Sequence, residues 1–368
     1  MKVIVIGAGV AGLGIGWRLA QQGAGVTVIE RGQPGRGATW AAAGMIAAVQ
    51  EKAEPSAPEE DLARRAASVW PRFAEEIEHA SGRAISYRVE GGLVLAQSPS
   101  DLEALVARAR TGAGEVLSPS LARRIEPRLS ALIEGALWNT KDAKVDNRAL
   151  GAALAAAFAG AGGSILVNEA VVRFEFRDNR ILGVRTPFAL HQADAYVLAA
   201  GAWSGRIEGL PPDALPPIIP VKGEMIALEA PAQDSLPGPA IGGKEIYMVT
   251  QRDRLLVGAT VLRVGFDSSL TDAASEWLLG RAASLMPPLR DWTIAEQWGG
   301  LRPGTPDDRP ILGPSAVDGL FIASGQFRSG ILYAPAIADA LSALILGKSS
   351  EIDLAAFDPQ RFAGSVHR

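Results

Sequence analysis

A glycine-rich turn set between a strand and a helix constrains this chain more than any other feature. Lys2–Ile6 is a short apolar run with the composition of a buried strand. Gly7-Ala8-Gly9-Val10-Ala11-Gly12 follows directly, residues 13–22 read as a helix, and residues 26–29 read as a second strand that Glu30 closes. This is the G-x-G-x-x-G fingerprint in strand–turn–helix context, with an acidic residue about 20 positions on.

Each residue type has a physical task. Gly7 permits a tight turn out of the strand, Gly9 lets backbone approach a pyrophosphate, and Gly12 lets the helix pack close to the sheet. The helix N-terminus offers N–H groups and a positive dipole end to phosphates, and Glu30 can accept hydrogen bonds from ribose hydroxyls. A glycine turn that binds nothing would leave Glu30 unexplained, so the expected ligand is a dinucleotide. The apolar stretch from Met1 to Trp17 also looks like a signal peptide. Glycines at phosphate-loop spacing interrupt it and it leads into a second strand, so it is read as mature protein.

The 368 residues have room for two domains and a large core. A net charge of −4 gives no sign of a nucleic-acid-binding face. The best apolar run, 331–346, is cut by Asp339, so no membrane span is expected and the expected location is cytoplasmic. The absence of cysteine excludes disulfides, thiol catalysis, iron–sulfur clusters and a cysteine-linked flavin. His79, His191 and His367 are too scattered for a metal site, so no metal is expected. The lack of a G-x-S-x-G element argues against a serine hydrolase.

Beyond Glu30, Gly35-Arg36-Gly37-Ala38-Thr39-Trp40-Ala41-Ala42-Ala43-Gly44-Met45 reads either as a small-residue shelf for something flat or as the start of an alanine-rich helix. Helices are expected over 55–82, 100–111, 118–125, 147–161 and 271–286, the second and third opened by serine caps. Strands are expected over 85–95, 164–167, 171–176, 181–186 and 195–199, and between 223 and 265, with turns at Asp178-Asn179 and 251–254. Residues 139–146 read as a loop. Residues 293–300 are strand-like and run into Leu301-Arg302-Pro303-Gly304-Thr305-Pro306-Asp307. The end repeats the opening logic: a strand at 320–323, the turn Gly325-Gln326-Phe327-Arg328-Ser329-Gly330, and an apolar helix at 331–346. Nucleotide-type elements at the start, middle and end predict one discontinuous nucleotide domain (1–47, 140–205 and 300–368). A second domain (48–139 and 206–299) is inserted in two pieces.

Together these runs resemble the FAD-dependent D-amino-acid oxidase superfamily, and within it the glycine oxidase branch. The resemblance is carried by 5–12 with Glu30, 37–45, Val145-Asp146-Asn147-Arg148-Ala149-Leu150, 199–204, Gly299 with 301–305, and 325–335, in the family's order over nearly the whole chain. The first motif is widespread among flavoproteins; the Ala-Gly-Met, Leu-Arg-Pro-Gly-Thr and Phe-Arg-Ser-Gly-Ile-Leu-Tyr-Ala-Pro runs are far more specific. The resemblance implies an α/β fold, α+β overall: a glutathione-reductase-type Rossmann FAD-binding domain plus an inserted substrate domain with a mixed, largely antiparallel sheet. It implies noncovalent FAD. By match, Gly7, Gly9, Val10, Ala11, Gly12, Glu30 and Arg31 hold the ADP half, and Thr39, Ala43, Gly44 and Met45 line the flavin. Val171 reaches the adenine side through backbone, and Ala200, Gly201 and Trp203 pass under the cofactor. Gly325, Gln326, Phe327, Arg328, Ser329, Gly330, Ile331 and Leu332 close over the pyrimidine end of the ring.

For the substrate, the resemblance places a carboxylate on Arg302 through a bidentate pair and gives Tyr247 a hydroxyl bond to it. Arg328 matches a second active-site arginine, and Met45 walls the pocket. On residue chemistry alone, Arg302 would be a surface ion-pair arginine and Tyr247 a core strand tyrosine. Two positions depart from the branch: Gln326 stands where histidine is common, and Ser329 where asparagine is frequent. The implied reaction is oxidative deamination of glycine or a similar small amino acid. Hydride passes to flavin, an imine forms, and dioxygen becomes hydrogen peroxide. A neutral amine needs no general base at Cα. Enzymes of this branch often feed the thiazole half of thiamine. The alternatives are a flavin oxidase of sarcosine, D-alanine, D-proline or an N-alkylglycine, a quinone-linked D-amino-acid dehydrogenase, and an FAD-binding protein without amine chemistry. The implied partners are the small amino acid and dioxygen, with a homo-oligomer compatible and neither nucleic acid nor membrane expected.

Overall fold

The computed structural model describes residues 1–47, 56–177, 180–211, 214 and 217–362. Lys2–Ile6 lies inside a six-stranded sheet ordered Ile311–Pro314, Leu320–Ser324, Ala195–Leu198, Lys2–Ile6, Gly25–Ile29, Ser164–Leu166. Its pairings are parallel except that of Ile311–Pro314, which runs antiparallel to its neighbour. Alternation along Lys2–Ile6 splits its apolar side chains between two cores. Val3 and Val5 pack with Leu13, Trp17, Trp70, Phe73, Phe158 and Leu332. Ile4 and Ile6 pack with Phe174, Val184, Tyr196 and Leu198. One face of the sheet therefore carries the helices Val10–Gln21, Ala57–Ser81, Asn147–Gly160 and Gly330–Ile345. The other face carries a small antiparallel sheet of Arg173–Arg177, Arg180–Arg185 and Leu190–His191. This is the expected Rossmann-type layering.

A second sheet has eight strands in the order Thr293–Gly304, Ile219–Glu229, Arg254–Gly258, Tyr247–Gln251, Ala240–Gly242, Gly92–Ala96, Gly135–Asn139, Glu115–Leu117. All its pairings are antiparallel except Ala240–Gly242 with Gly92–Ala96. Ile226, Leu228, Met248 and Val257 face the helix Asp272–Leu285 through Leu278, Ala282 and Leu285. Their alternates Met225, Ala227 and Val249 pack with Ala43, Met45 and Trp298, with Tyr247 against them. The period of two thus sends Tyr247 to the opposite face from Met248.

Several local expectations change. The helix expected at 100–111 spans Pro99–Ala109, and its cap is Ser98, whose side chain accepts from the Asp101 N–H; Pro99 then takes the first helical position. Ser118 caps Pro119–Ile125 as expected. The loop 139–146 contains a strand, Ala143–Lys144, that pairs with both Met45–Ile46 and Arg88–Val89. The strand at 293–300 continues through Arg302 to Gly304. Pro303 does not stop it because Thr293–Gly304 is a sheet edge, where one row of N–H groups has no partner strand to lose. Residues 259–265, expected within the strand region, leave the sheet as a loop that keeps one bridge, Leu262 with Lys222. The long helix is Ala57–Ser81, closed by a Ser56–Glu59 capping box and by Gly82 in the left-handed region. Pro55 and the turn at Asp178-Asn179 lie outside the described residues. Among the described residues no helix is long and apolar enough to cross a membrane, and no His, Asp and Glu cluster could hold a metal.

Candidate active site

Two of the three fingerprint glycines are explained by the protein itself. Gly7 has φ +104°, and a Cβ there would lie 2.5 Å from the Ala199 carbonyl oxygen. A Cβ on Gly12 would fall on the Gly7 carbonyl oxygen. Gly9 differs: the nearest protein atom to a Cβ there is Thr39 Oγ1, at an ordinary 3.5 Å. Nothing in the fold excludes a methyl group at Gly9, and its open side faces a cavity.

The helix Val10–Gln21 starts there with no side-chain cap and no acid in its first turn. The Val10 N–H is taken by Thr39 Oγ1 at 3.0 Å, and the rest of the turn points its dipole at the cavity. Glu30 Oε2 accepts from the Ala8 N–H at 2.8 Å and Oε1 from the Gly32 N–H at 2.9 Å, so the acid joins the two turns. Arg31 lies with Cζ 3.4 Å from the Trp203 ring centroid. Burial holds its guanidinium below the usual arginine range, with the Glu30 charge opposing.

The stretch after Gly37 is neither an ordinary helix start nor a flat ribbon. It makes one helical turn, Ala38–Ala41, then a break at Gly44 with φ +77°. Distant side chains hold its carbonyls. Asn147 Nδ2 donates to Thr39 O and Trp40 O at 2.8 and 3.0 Å, and Trp298 Nε1 donates to Ala41 O at 3.0 Å. Gln251 Nε2 donates to Ala43 O at 2.8 Å and to Val145 O at 2.7 Å. Small side chains face the cavity while the backbone is fixed from behind, so the shelf is rigid before any ligand arrives.

At the far end, sheet register builds a seat. Gly223 pairs with Gly300 and Val221 with Arg302, so Arg302 shares a face with Gly300 and reaches diagonally over Gly223. A Cβ on Gly223 would fall among the guanidinium atoms of Arg302. Arg302 Nη1 donates to the Thr260 carbonyl at 3.1 Å. A buried pair beside Gly223 holds the loop that supplies this carbonyl. Lys222 Nζ lies 3.1 Å from Glu224 Oε1 and donates to Ser269 O at 2.6 Å, and Glu224 accepts from the Thr271 N–H at 2.8 Å. Tyr247 lies over Gly258, where a Cβ would be 2.7 Å from its hydroxyl oxygen, and that hydroxyl reaches Met225 Sδ at 3.7 Å.

The turn at 325–330 closes this end. The Phe327 N–H donates to Pro303 O at 3.0 Å, pinning the turn to the Arg302 strand. Arg328 is exposed, its Cζ 5.3 Å from the Phe327 ring centroid.

One cavity of about 1030 Å³ joins the two ends. This is at the top of the range for small-molecule sites, roughly 300–1,000 Å³, and suits an extended ligand with a second one beside it. Arg302, Tyr247, Met45 and Arg328 all line it. So do Gly7, Gly9, Val10, Ala11, Glu30, Arg31, Thr39, Ala43, Gly44, Val171, Ala200, Gly201 and Trp203, and, from the closing turn, Gln326, Phe327, Gly330 and Ile331. Four expected residues stand behind the wall instead. Gly12 packs on Gly7, and Gly325 has φ +73° with Thr305 against it. Ser329 is buried at the start of Gly330–Ile345, and the Leu332 carbonyl accepts from Trp70 Nε1 at 2.9 Å.

Sequence reasoning missed Gly223, the Thr260 carbonyl, Met225 and Arg108. Gly223 and Thr260 gain meaning only through register, and a backbone carbonyl has no sequence signal. Arg108 lines the cavity from the helix Pro99–Ala109; burial lowers its pKa, with Glu60 and Asp142 opposing.

The residues present fit the FAD that the resemblance implied. Gly9 leaves room that no protein atom uses, the helix that starts there has no acid in its first turn, and the stretch after Gly37 lines the cavity with small residues.

Comparison with known proteins agrees. A family model described as FAD dependent oxidoreductase matches residues 2–344. A glycine oxidase from Pseudomonas aeruginosa is 34% identical over 97% of this chain and 98% of its own. The bifunctional protein ThiO/ThiG of Synechocystis sp. is 37% identical over 98% of this chain, which spans only 54% of that longer protein. The crystal structure of glycine oxidase from Geobacillus kaustophilus superposes with a TM-score of 0.92 at 32% identity, covering 98% of this chain and 99% of that one.

Proposed function

The chain belongs to the FAD dependent oxidoreductase family, and from that premise we propose that it oxidatively deaminates glycine or a similarly small amino acid. The observation that carries this reading is the guanidinium of Arg302 seated over Gly223, in the same cavity whose other end is the nucleotide cradle at Gly9 and Glu30. A carboxylate clamp has no use in a protein that merely stores flavin.

In this reading Arg302 binds the substrate carboxylate with two parallel N–H bonds, its plane fixed by the Thr260 carbonyl. Tyr247 adds a hydroxyl bond from the sheet face, and Met45 limits the pocket on the shelf side. Arg328, exposed at the turn, adds positive charge at the cavity mouth. FAD, which the cradle at Gly9 and the shelf at 39–45 would hold, would supply the two-electron acceptor for the Cα hydride and the route of those electrons to dioxygen. The protein's part is orientation: the substrate Cα–H is aimed while the amine enters neutral. No histidine is among the described residues lining the cavity, which suits a step that needs no base at Cα. The same reading divides the chain into the discontinuous nucleotide domain and the inserted substrate domain, and places the product in thiamine thiazole supply.

A second reading is favoured by one feature. Tyr247 pairs with Gly242 and Gly242 with Val94, so the cavity floor continues along this row toward Arg108. That room suits sarcosine, D-alanine, D-proline or an N-alkylglycine. A peroxide assay across glycine and these amines tests both readings. The purified protein is expected to be yellow, and acid should release FAD. A colourless protein overturns the proposal, and flavin bleaching without peroxide overturns the oxidase assignment.

A further inference from the structure

We infer that Phe266 is a positioning residue for the ADP half of FAD, holding Trp203 and the stacked Arg31 in the cavity wall; this rests on the FAD reading above. Phe266 sits on the loop between the strand Arg254–Gly258 and the helix Asp272–Leu285, directly after Gly265 with φ +64°. Among residues 261–270 it alone is not exposed. Val261, Leu262, Val264 and Leu270 stay in water, so general hydrophobic burial does not explain where the ring goes. Its centroid lies 5.7 Å from that of Trp203, tilted by 44°, and Arg206 Cζ lies 4.6 Å from the Phe266 centroid. Trp203 and Arg206 stand three apart on the 3-10 turn Gly201–Arg206, where side chains at i and i+3 eclipse, so one ring meets both.

The Trp203 ring in turn carries Arg31 Cζ at 3.4 Å. Arg31, Trp203 and Arg206 line the cavity together with Glu30 and Val171, whereas Phe266 stands behind them. The run Arg31, Trp203, Phe266, Arg206 therefore sets two rings between two guanidinium groups at the end where a diphosphate is expected. The base of the loop has fasteners of its own. Leu262 exchanges backbone hydrogen bonds with Lys222 at 2.8 and 2.9 Å, Arg263 Nη2 lies 3.6 Å from Asp308 Oδ1, and Lys222 Nζ donates to Ser269 O at 2.6 Å. The Thr260 carbonyl beside Arg302 is thus held without Phe266. A ring that the amino-acid end does not need, placed against the wall of the nucleotide end, serves the nucleotide end.

The test follows FAD release from the loaded enzyme, read as the rise of flavin fluorescence on dilution, beside glycine KM at saturating FAD. Phe266→Ala is expected to release FAD about tenfold faster, the size that one lost ring pair and one lost cation–ring contact together imply, with KM within about twofold of the parent. Phe266→Tyr, which keeps the ring, should stay within about threefold. Trp203→Leu should speed release at least as much as Phe266→Ala. The double variant should be no faster than Trp203→Leu alone, because Phe266 acts through Trp203. Should Phe266→Ala fail to fold, Phe266→Leu takes its place in the same cycle. Unchanged release in the Phe266 variant overturns the inference. So do effects that simply add in the double variant, which a loop that merely loosens the fold would give. A raised glycine KM with unchanged release also overturns it, since that would assign Phe266 to the amino-acid end. A wild-type protein that neither carries nor takes up FAD would instead overturn the function proposed above.

Discussion

The two ends of the cavity are built by opposite rules. At the nucleotide end one continuous segment, from Gly7 to Gly32, supplies turn, helix start and acid, and Glu30 closes it on itself. At the amino-acid end Gly223, Thr260 and Arg302 come from three segments that meet only because Ile219–Glu229 and Thr293–Gly304 pair in one register. The contrast shows how to read a glycine. Where the missing Cβ would strike protein, as at Gly12 or Gly223, the glycine serves packing or a side chain's seat. Where it would meet open cavity, as at Gly9, the glycine serves a ligand.

The largest expected effect tests the first half of that distinction. Gly12→Ala puts a methyl group onto the Gly7 carbonyl, so backbone must move in the centre of the sheet. A loss of about 4 kcal/mol or more in the urea unfolding free energy of the FAD-free protein is expected. Gly9→Ala is the control: Gly9 is the N-cap of Val10–Gln21, so FAD-free stability should fall by only about 1 kcal/mol while FAD affinity falls clearly. If both variants destabilise the FAD-free fold equally, the sorting of glycines by what fills their Cβ position fails.

At the other end, Arg302→Ala removes the guanidinium on which the proposed substrate contact depends. Its kcat/KM for glycine should drop by about 3 kcal/mol, a factor on the order of a hundred or more, with FAD content unchanged. Near-normal kcat/KM would take Arg302 out of the carboxylate role. Gly223→Ala leaves the arginine in place but fills its seat. The guanidinium must swing away from the Thr260 carbonyl, and about 2 kcal/mol of kcat/KM should be lost with FAD affinity intact. If Gly223→Ala lowers FAD affinity instead, the two ends are not independent.

The same contrast explains what was legible in the sequence. The strand–turn–helix at 2–21 was readable because its signals are local: period, glycine spacing and a closing acid. Arg302, Tyr247 and the roles of the turn at 325–330 came from motif resemblance, and all line or shape the cavity. Gly223 was invisible because its partner is some 80 residues away and its function is an absence of atoms (302 − 223 = 79). The roles of Asn147 and Gln251, which hold the shelf carbonyls, were hidden for a related reason: each acts on backbone about a hundred or more residues distant. Ser98 was displaced as the cap by Ser100 in the reading because both stand before an acidic helix start, and only Pro99 between them marks the first helical position.

The smallest effect concerns how the amino-acid end is fastened. Asp307 closes the turn after the Arg302 strand: Arg361 donates to it from Nε at 2.9 Å and Nη2 at 3.1 Å, joined by the Thr305 hydroxyl and the Arg309 N–H. Burial alone would raise its pKa, but Arg361, with the Arg309 and Thr305 donors, holds it below the ordinary carboxylate range. A depressed folded-state pKa contributes stability above the unfolded value, near 4, and that contribution is lost as pH falls through the folded value. Asp307→Asn should therefore cost no more than about 1 kcal/mol at pH 7, because the pair is partly exposed, and the gap to the parent should close in acid below about pH 4. Urea midpoints at pH 7 and along an acid series measure this. Because the fastener acts on the strand that carries Arg302 and not on residues 7–32, glycine KM should rise slightly while FAD affinity stays put. A gap that persists unchanged in acid would mean that Asp307 acts through shape and not through its charge.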